Sequence, residues 1–325
     1  MIDTIKAYLN IDSHQNPISV SDLSAKIENP RITEGLSQMG YLNGYLNKIK
    51  VTVLYQNKSE LVSKITITGS IPKFLYSNNL ATCSPMDIQT FIDSISSALD
   101  IDMSEAVVTW LDFGLNFSVS RPIPEYIVAI KSYPRLHKII YQGESVTMTT
   151  KSKSKTITFY DKIKEINSNP SNSKYCQVPE GMLDLNILRY EIRYRKHVNR
   201  KLKYTESVKL KDLSKLRLHE QLLQILRTTF EEVEISDLKF PTSDLAVRSG
   251  FLKTYLALIG LHYSGYDDIC RIIESQDFDV KYISVKRSTL KAQLKKLASY
   301  SDKLHGSNIK SALEAKLDIL EATFL

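Results

Sequence analysis

Val107 to Val119, VVTWLDFGLNFSV, reads as one long β-strand. Leu111, Phe113, Leu115, Phe117 and Val119 fall on one face. Trp110, Asp112, Gly114, Asn116 and Ser118 fall on the other, the period-two alternation of a sheet buried on one side. An acid in mid-strand is disfavoured unless something nearby uses it. Gly114 on the same face leaves room for a close approach. Asp112 is therefore a candidate site residue, with a strand acid paired to a neighbouring base as the alternative reading.

Working outward, Ile2 to Leu9 alternates as a strand, with Asp3 formally in phase with the apolar Ile5, Ala7 and Leu9. Residues 10–40 read as polar and irregular. Lys48 to Tyr55 and Leu61 to Thr68 predict a hairpin around Gln56-Asn57-Lys58-Ser59, and Gly69 to Leu75 a turn forced by Gly and Pro. Ser84-Pro85-Met86-Asp87 opens a helix whose apolar positions are Ile88, Phe91, Ile92, Ile95 and Leu99. A short helix over Pro124 to Lys131 follows, then a hairpin of Ile139 to Thr149 with Lys155 to Tyr160, and a polar loop over Asn167 to Ser173. Asn186 to Arg195 alternates again, with Leu188, Tyr190, Ile192 and Tyr194 opposite Arg189, Glu191, Arg193 and Arg195. Beyond about Thr205, Leu210 to Phe230, Phe251 to Leu261, Tyr266 to Glu274, Val285 to Tyr300 and Asn308 to Ala322 read as helices. The expected fold is α+β: a largely antiparallel sheet flanked by helices over residues 1–205, then an all-helical C-terminal domain over residues 206–325.

The stretch Thr156 to Glu165, TITFYDKIKE, changes character midway. Thr156, Thr158 and Tyr160 alternate with Ile157 and Phe159, and helix-forming residues follow from Asp161. Tyr160 thus stands at a strand-to-helix junction with its hydroxyl on the polar face. A phenol there is a candidate covalent nucleophile, weak until a cation makes the phenolate accessible. Lys162 and Lys164 follow at distances from which they could stabilise developing charge. The bland alternative is that Tyr160, one of 18 tyrosines, closes a sheet edge. Two or three carboxylates, Asp112, Glu191 and more weakly Asp3, would suit a hard divalent cation, Mg²⁺ or Mn²⁺. An ion pair with Arg189 or Arg193 is the competing reading for Glu191.

The 325 residues carry a formal net charge of +7, with 42% hydrophobic and 24% charged residues. That balance excludes wholesale disorder and suits a polyanionic partner. Cys83, Cys176 and Cys270 lie far apart without metal-ligand spacing, which argues against zinc fingers and disulfides. Neither a signal core nor a long apolar run is present, so a cytoplasmic location without membrane contact is expected. Arg189, Arg193, Arg195, Lys196, Arg200 and Lys201 cluster with interleaved tyrosines, a pattern that suits phosphates and unpaired bases. Lys151, Lys153 and Lys155 form a second basic tract. The 285–300 helix carries Lys286, Arg287, Lys291, Lys295 and Lys296, which reads foremost as an amphipathic helix with a basic exposed face, with a helix lying along a duplex backbone as the alternative.

Five segments in order carry a resemblance: MIDTIKAYL at the start, Gly69 to Asn79, Leu111-Asp112 with Asn116-Phe117, Tyr160-Asp161-Lys162 with Glu165, and Leu188 to Arg193. Over roughly residues 1–203 the chain resembles the replication initiator endonucleases of filamentous bacteriophages and related rolling-circle plasmids, the replication initiation factor family. The resemblance implies a relaxase-like domain that nicks one DNA strand at an origin. It further implies a 5′-phosphotyrosine intermediate at Tyr160, a free 3′-hydroxyl for priming, and a divalent metal on Asp112 and Glu191. Origin DNA, single-stranded, hairpin or supercoiled, would be the partner, with host helicase and polymerase as further candidates. Two positions depart from the family pattern: Trp110 stands where Arg is usual, and Ser77 replaces Gly before Asn78-Asn79. No His-hydrophobic-His pair exists, and the tyrosine recombinase spacing is absent. A catalytically silent DNA-binding regulator on the same fold is the alternative.

Overall fold

The computed structural model describes residues 1–12, 17–34, 38–141, 144–168, 181–182, 184–235, 266–275, 287–295 and 309–324. The chain divides into two compact units, Met1–Glu234 with Lys316–Leu325, and Ile235–Ala315. The architecture is α+β. In the first unit, strands β1 (Ile2–Asn10), β2 (Glu28–Glu34), β3 (Met39–Leu46), β4 (Ile49–Gln56) and β5 (Val62–Ser70) form half of a ten-stranded sheet. The other half is β6 (Val107–Val119), β8 (His137–Tyr141), β9 (Ser145–Thr149), β10 (Lys155–Asp161) and β11 (Asn186–Arg195), while β7 (Ile130–Ser132) lies outside it. The strand order is β2-β3-β4-β5-β1-β6-β11-β10-β9-β8, antiparallel throughout. The longest strand, β6, sits near the middle between β1 and β11, where its alternation sorts the whole sheet into two faces.

One face is the core. Ile5, Ala7, Val51, Ile67, Leu111, Phe113, Phe117, Phe159 and Tyr190 are buried there. Phe159 stacks on Tyr190 at 4.7 Å between ring centroids, and Phe230 meets Tyr190 edge-on at 5.7 Å. Phe230 belongs to the helix Leu216–Glu231, whose Leu226 carbonyl accepts the Tyr190 hydroxyl at 3.1 Å. Each such ring contributes about 1.5–3 kcal/mol by burial, so this aromatic layer fixes the helix to the sheet. The helix Pro85–Leu99 is launched by a capping box between Ser84 and Asp87 and buries Ile88, Phe91, Ile92, Ile95 and Leu99. The opposite face carries Asp112, Asn116, Arg189, Glu191, Arg193, Thr158 and Tyr160.

Several expectations are corrected. Residues 10–40 are not irregular throughout: they contain the helix Val20–Lys26 and β2, and β3 begins at Met39. β2 reads poorly as a strand because Asn29 and Pro30 interrupt its alternation at a register shift in its pairing with β3. The stretch from Ile139 to Thr149 is two strands, β8 and β9, paired with each other, before β9 pairs with β10. Leu210–Ser214 is a 3₁₀ turn ahead of the helix Leu216–Glu231, not part of it. The Gly69–Leu75 turn is the end of β5 followed by a helix, Ile71–Tyr76, capped by Ser70. The Leu216–Glu231 helix belongs to the first unit.

In the second unit the expected Tyr266 helix is present as Tyr266–Ser275, and residues 287–295 are helical. There Arg287 and Lys291 both contact Glu274, so part of the basic face is neutralised within the unit. Helix Ile309–Phe324 matches the last expected helix. The Phe251 to Leu261 expectation, Cys176, Lys286, Lys296 and most of the 167–173 loop lie outside the described residues.

Two backbone positions explain sequence choices. Gly114 faces Glu191 across the β6–β11 ladder, and a Cβ there would lie 2.1 Å from the Tyr190 carbonyl oxygen. What approaches Gly114 is therefore the neighbouring strand. Ser77 closes the Ile71–Tyr76 helix in the left-handed region, φ 60°, which favours glycine, so the departure from the family pattern at this position carries a cost. Gly114→Ala should lower stability in urea melts by about 1–3 kcal/mol or more. Ser77→Gly should raise it by about 1 kcal/mol in the same assay.

Candidate active site on the open sheet face

β6 and β11 pair so that Asp112 opposes Arg193, Gly114 opposes Glu191, and Asn116 opposes Arg189. β10 continues each row: Thr156 opposes Arg193, Thr158 opposes Glu191, and Tyr160 opposes Arg189. All of these side chains therefore share the open face, as alternation alone predicted. Asp3 joins them for a reason the alternation concealed. The β1–β6 pairing shifts register between Ile2 and Ile5, and this bulge reverses the phase of β1. Asp3 leaves the apolar face assigned to it by Ile5 and Ala7 and reaches Arg189.

Arg189 is the buried centre, 5% exposed. Its Nη2 donates to Asp3 Oδ2 at 3.1 Å and its Nη1 to Asn116 Oδ1 at 3.2 Å. Its Nε lies 3.7 Å from Glu191 Oε2 and has no hydrogen-bond partner. The other oxygen of Asp3 accepts from Ser70 Oγ at 2.6 Å. Burial pushes the Asp3 carboxyl up, but Arg189, Lys162 and Ser70 outweigh it and hold the carboxyl below its ordinary range. Arg193 then ties the two remaining acids together. Its Nε donates to Asp112 Oδ2 at 2.8 Å and its Nη2 to Glu191 Oε1 at 3.0 Å. Trp110 donates its indole N–H to Asp112. One guanidinium shared by two carboxylates compensates neither fully. Burial first, and Glu191 second, lift Asp112 to about 7 despite Arg193.

Tyr160 stands at the far end of this row, where β10 gives way to the helix Lys162–Ser168. Its hydroxyl donates toward Glu191 Oε2 at 3.4 Å. Burial and the Glu191 charge raise the phenol well above its ordinary value, Arg189 opposing them. An open cleft of about 550 Å³ exposes it, lined by Tyr160, Glu191, Arg193, Thr158, Lys164 and Glu144 among others.

The remaining candidate residues separate by place. Lys162 is fully buried, with Nζ 2.8 Å from Glu165 Oε2 and 5.6 Å from the Tyr160 ring centroid. Burial lowers its pKa, with Asp3 and Glu165 opposing the shift. Lys164 is exposed at the cleft and paired with Glu144. Lys155 points to the other face, where its Nζ donates to the Tyr133 hydroxyl at 3.1 Å. Lys201 sits 4.9 Å above the Tyr194 ring and donates to the Ser154 carbonyl. Burial lowers its pKa to about 8, with the nearby Lys155 charge acting in the same direction. Lys151, Lys153, Lys196 and Arg200 are exposed. The Arg195 amide bonds the Ser154 carbonyl at 3.0 Å, so the two basic tracts, distant in sequence, meet at one end of the sheet. Arg195 itself lies with its guanidinium carbon 4.3 Å from the Trp110 ring centroid.

Ser70, Asn116 and Glu165 are site residues that residue type alone did not single out. Their signal was membership of the segments that carry the family resemblance, together with position: Ser70 caps a helix that begins with Ile-Pro, and Asn116 shares the Asp112 face. Asp112 and Glu191 suit a hard divalent ion, which binds commonly through one or two carboxylates with water or phosphate oxygens completing the shell. Asp3 is already engaged by Arg189 and Ser70. No three His, Cys, Asp or Glu side chains converge among the described residues.

No helix among the described residues is long and apolar enough to cross a membrane. No curated protein matches the chain at a significant level. A family model does match: it describes the N-terminal part of a phage replication-associated protein and covers residues 1–221. That span takes in β1, β6, β10 and β11 and so every side chain of the Tyr160 site, and the chain belongs to this filamentous-phage replication initiator family.

Proposed function

We propose that this replication-associated protein nicks one strand of origin DNA through Tyr160, forming a 5′-phosphotyrosine and leaving a 3′-hydroxyl that primes rolling-circle synthesis. The observation that carries the reading is the placement of Tyr160 in an open cleft, 3.4 Å from Glu191 and on one sheet face with Asp112 and two arginines. The phenolic oxygen attacks phosphorus as the bond to the departing 3′-oxygen breaks. Keeping that bond energy in a phosphotyrosine allows later rejoining, which hydrolysis would not. Glu191 is placed to accept the phenolic proton, and Lys164 at the cleft to stabilise phosphate charge. Buried Lys162 holds the start of the helix through Glu165 and sets the position of the Tyr160 ring. Asp112 and Glu191 would hold Mg²⁺ or Mn²⁺, which when bound supplies charge stabilisation at the phosphate oxygens.

A second reading, a DNA-binding regulator without nicking activity, draws support from Arg193. Its guanidinium already fills the space between the carboxylates, and the phenol beside them is held protonated. Nicking of supercoiled origin DNA with added Mn²⁺ separates the two. Tyr160→Phe should abolish the covalent protein–DNA adduct on denaturing gels while DNA affinity stays within about twofold, since only one hydroxyl is lost. An adduct that persists in Tyr160→Phe places the nucleophile elsewhere.

The Asp112 carboxyl offers a test independent of DNA. Its folded pKa is raised to about 7, so between roughly pH 4 and 7 the folded state binds the extra proton. Stability from this group is present below the unfolded pKa and declines as pH rises toward 7, by up to about 1.4 kcal/mol per pH unit. Asp112→Asn should flatten that part of the pH–stability curve measured by urea melts. Added Mn²⁺ should stabilise the wild type above pH 7 and leave Asp112→Asn unmoved.

A further inference from the structure

The open face continues past the Tyr160 cleft, and the strand registers line up side chains across it. Arg195 on β11 opposes Trp110 on β6, Trp110 opposes Lys6 on β1, and Lys6 opposes Thr68 on β5. Thr68 opposes Lys50 on β4, and Lys50 opposes Tyr45 on β3. One row thus crosses six strands, about 24 Å at the usual inter-strand spacing of ~4.8 Å. Lys6 and Lys50 are exposed, Tyr45 is 46% exposed, and no carboxylate pairs with either lysine among the described residues. Beside the row, Lys64 Nζ sits 3.8 Å above the Tyr8 ring. At β2 the row ends on an acid: Glu28 opposes Tyr45 and accepts the Asn47 amide.

A second cleft, of about 530 Å³, opens at the β11–β6–β1 part of this row. It is lined by Arg195, Trp110, Lys6, Tyr8 and Lys196 among others, whereas Arg193, two residues along the same face of β11, lines the Tyr160 cleft. Cations spaced between aromatic rings on an open sheet face match the chemistry of single-stranded DNA: phosphates meet ammonium groups and unpaired bases stack on rings. A duplex offers phosphates but keeps its bases stacked.

We propose that the DNA strand flanking the nick runs from the Tyr160 cleft past Arg193, over Trp110 and Arg195, and out along Lys6 and Lys50 to Tyr45, bound as a single strand. This rests on the DNA-nicking reading for its starting point, but the row makes its own prediction about binding. The span suits a site within the ~4–16 nucleotides typical of single-strand binding folds.

The test uses the full chain and fluorescence anisotropy on fluorescein-labelled single-stranded oligonucleotides of graded length, at several salt concentrations. For the longer oligonucleotides, Lys6→Ala and Lys50→Ala should each reduce the slope of log affinity against log salt by about 0.7. Tyr45→Ala should weaken binding roughly 5- to 150-fold, and Tyr45→Phe should restore it. The shortest oligonucleotides that still form the adduct should be affected by none of these changes. Thermal melts of each variant exclude misfolding as the cause. Wild-type affinity and slope in all three alanine variants would overturn the proposal, as would an equal loss on a duplex of the same sequence. A persistent adduct in Tyr160→Phe would remove the nicking assignment while leaving these binding measurements valid, so the two failures are distinguishable.

Discussion

Arg189 is a cation buried in the middle of a sheet, and the site is arranged around its need for partners. A guanidinium removed from water is tolerated only when its charge and its donors are met. Three strands supply the answer: Asp3 from β1, Asn116 from β6 and Glu191 on β11 itself. These contacts cross the two central strand junctions, β1–β6 and β6–β11, on the side that no helix of the aromatic core covers. Removing one partner would leave an uncompensated buried charge, typically a loss of about 3–5 kcal/mol. The polar face is consequently as fixed as the aromatic face behind it. Tyr160 at its end is held by structure that cannot relax cheaply.

Much of this was legible in the sequence because β6, β10 and β11 alternate without interruption. Asp112, Glu191 and Tyr160 could be placed on one face from period two alone, and the antiparallel ladder then brought them together. Asp3 was legible as an acid but not in its direction, since a bulge is a one-residue event that leaves no mark in composition. Lys155 and Arg189 show the converse failure. Both belong to basic tracts, yet Lys155 turns to the far face and Arg189 is consumed by internal ion pairs. A count of cations cannot tell a phosphate ligand from a structural counter-charge: strand parity would have turned Lys155 away, but only burial marks Arg189, which shares its face with Arg193 and Arg195. β2 went unread because Asn29-Pro30 breaks its pattern, and the exposed face of β3 and β4 carries too few charges to stand out until their registers are known.

Trp110 acquires a role in the same way. Where the family pattern has Arg, this chain places an indole that donates to Asp112 and lies under Arg193 and Arg195. Ring faces attract cations, and the indole stiffens two long side chains that would otherwise lose rotamer entropy on ordering. Positive charge beside position 110 comes from Arg193 and Arg195 on β11, held against the ring.

For the proposed nicking reaction, the resting electrostatics fit a site that must not react before its substrate arrives. A phenol pressed against Glu191 keeps its proton, because burial and a like charge both disfavour the phenolate. Arg193 meanwhile neutralises part of the charge on Asp112 and Glu191. An incoming phosphodiester brings negative charge to the same place, and its strongest available partner there is the Arg193 guanidinium, 32% exposed and able to turn toward the cleft. If Arg193 moves to the phosphate, the two carboxylates lose their shared cation and repel each other more strongly. Under the proposed reaction, that repulsion would favour a divalent ion between them. In that reading one arginine changing partners would couple phosphate binding to the space between Asp112 and Glu191.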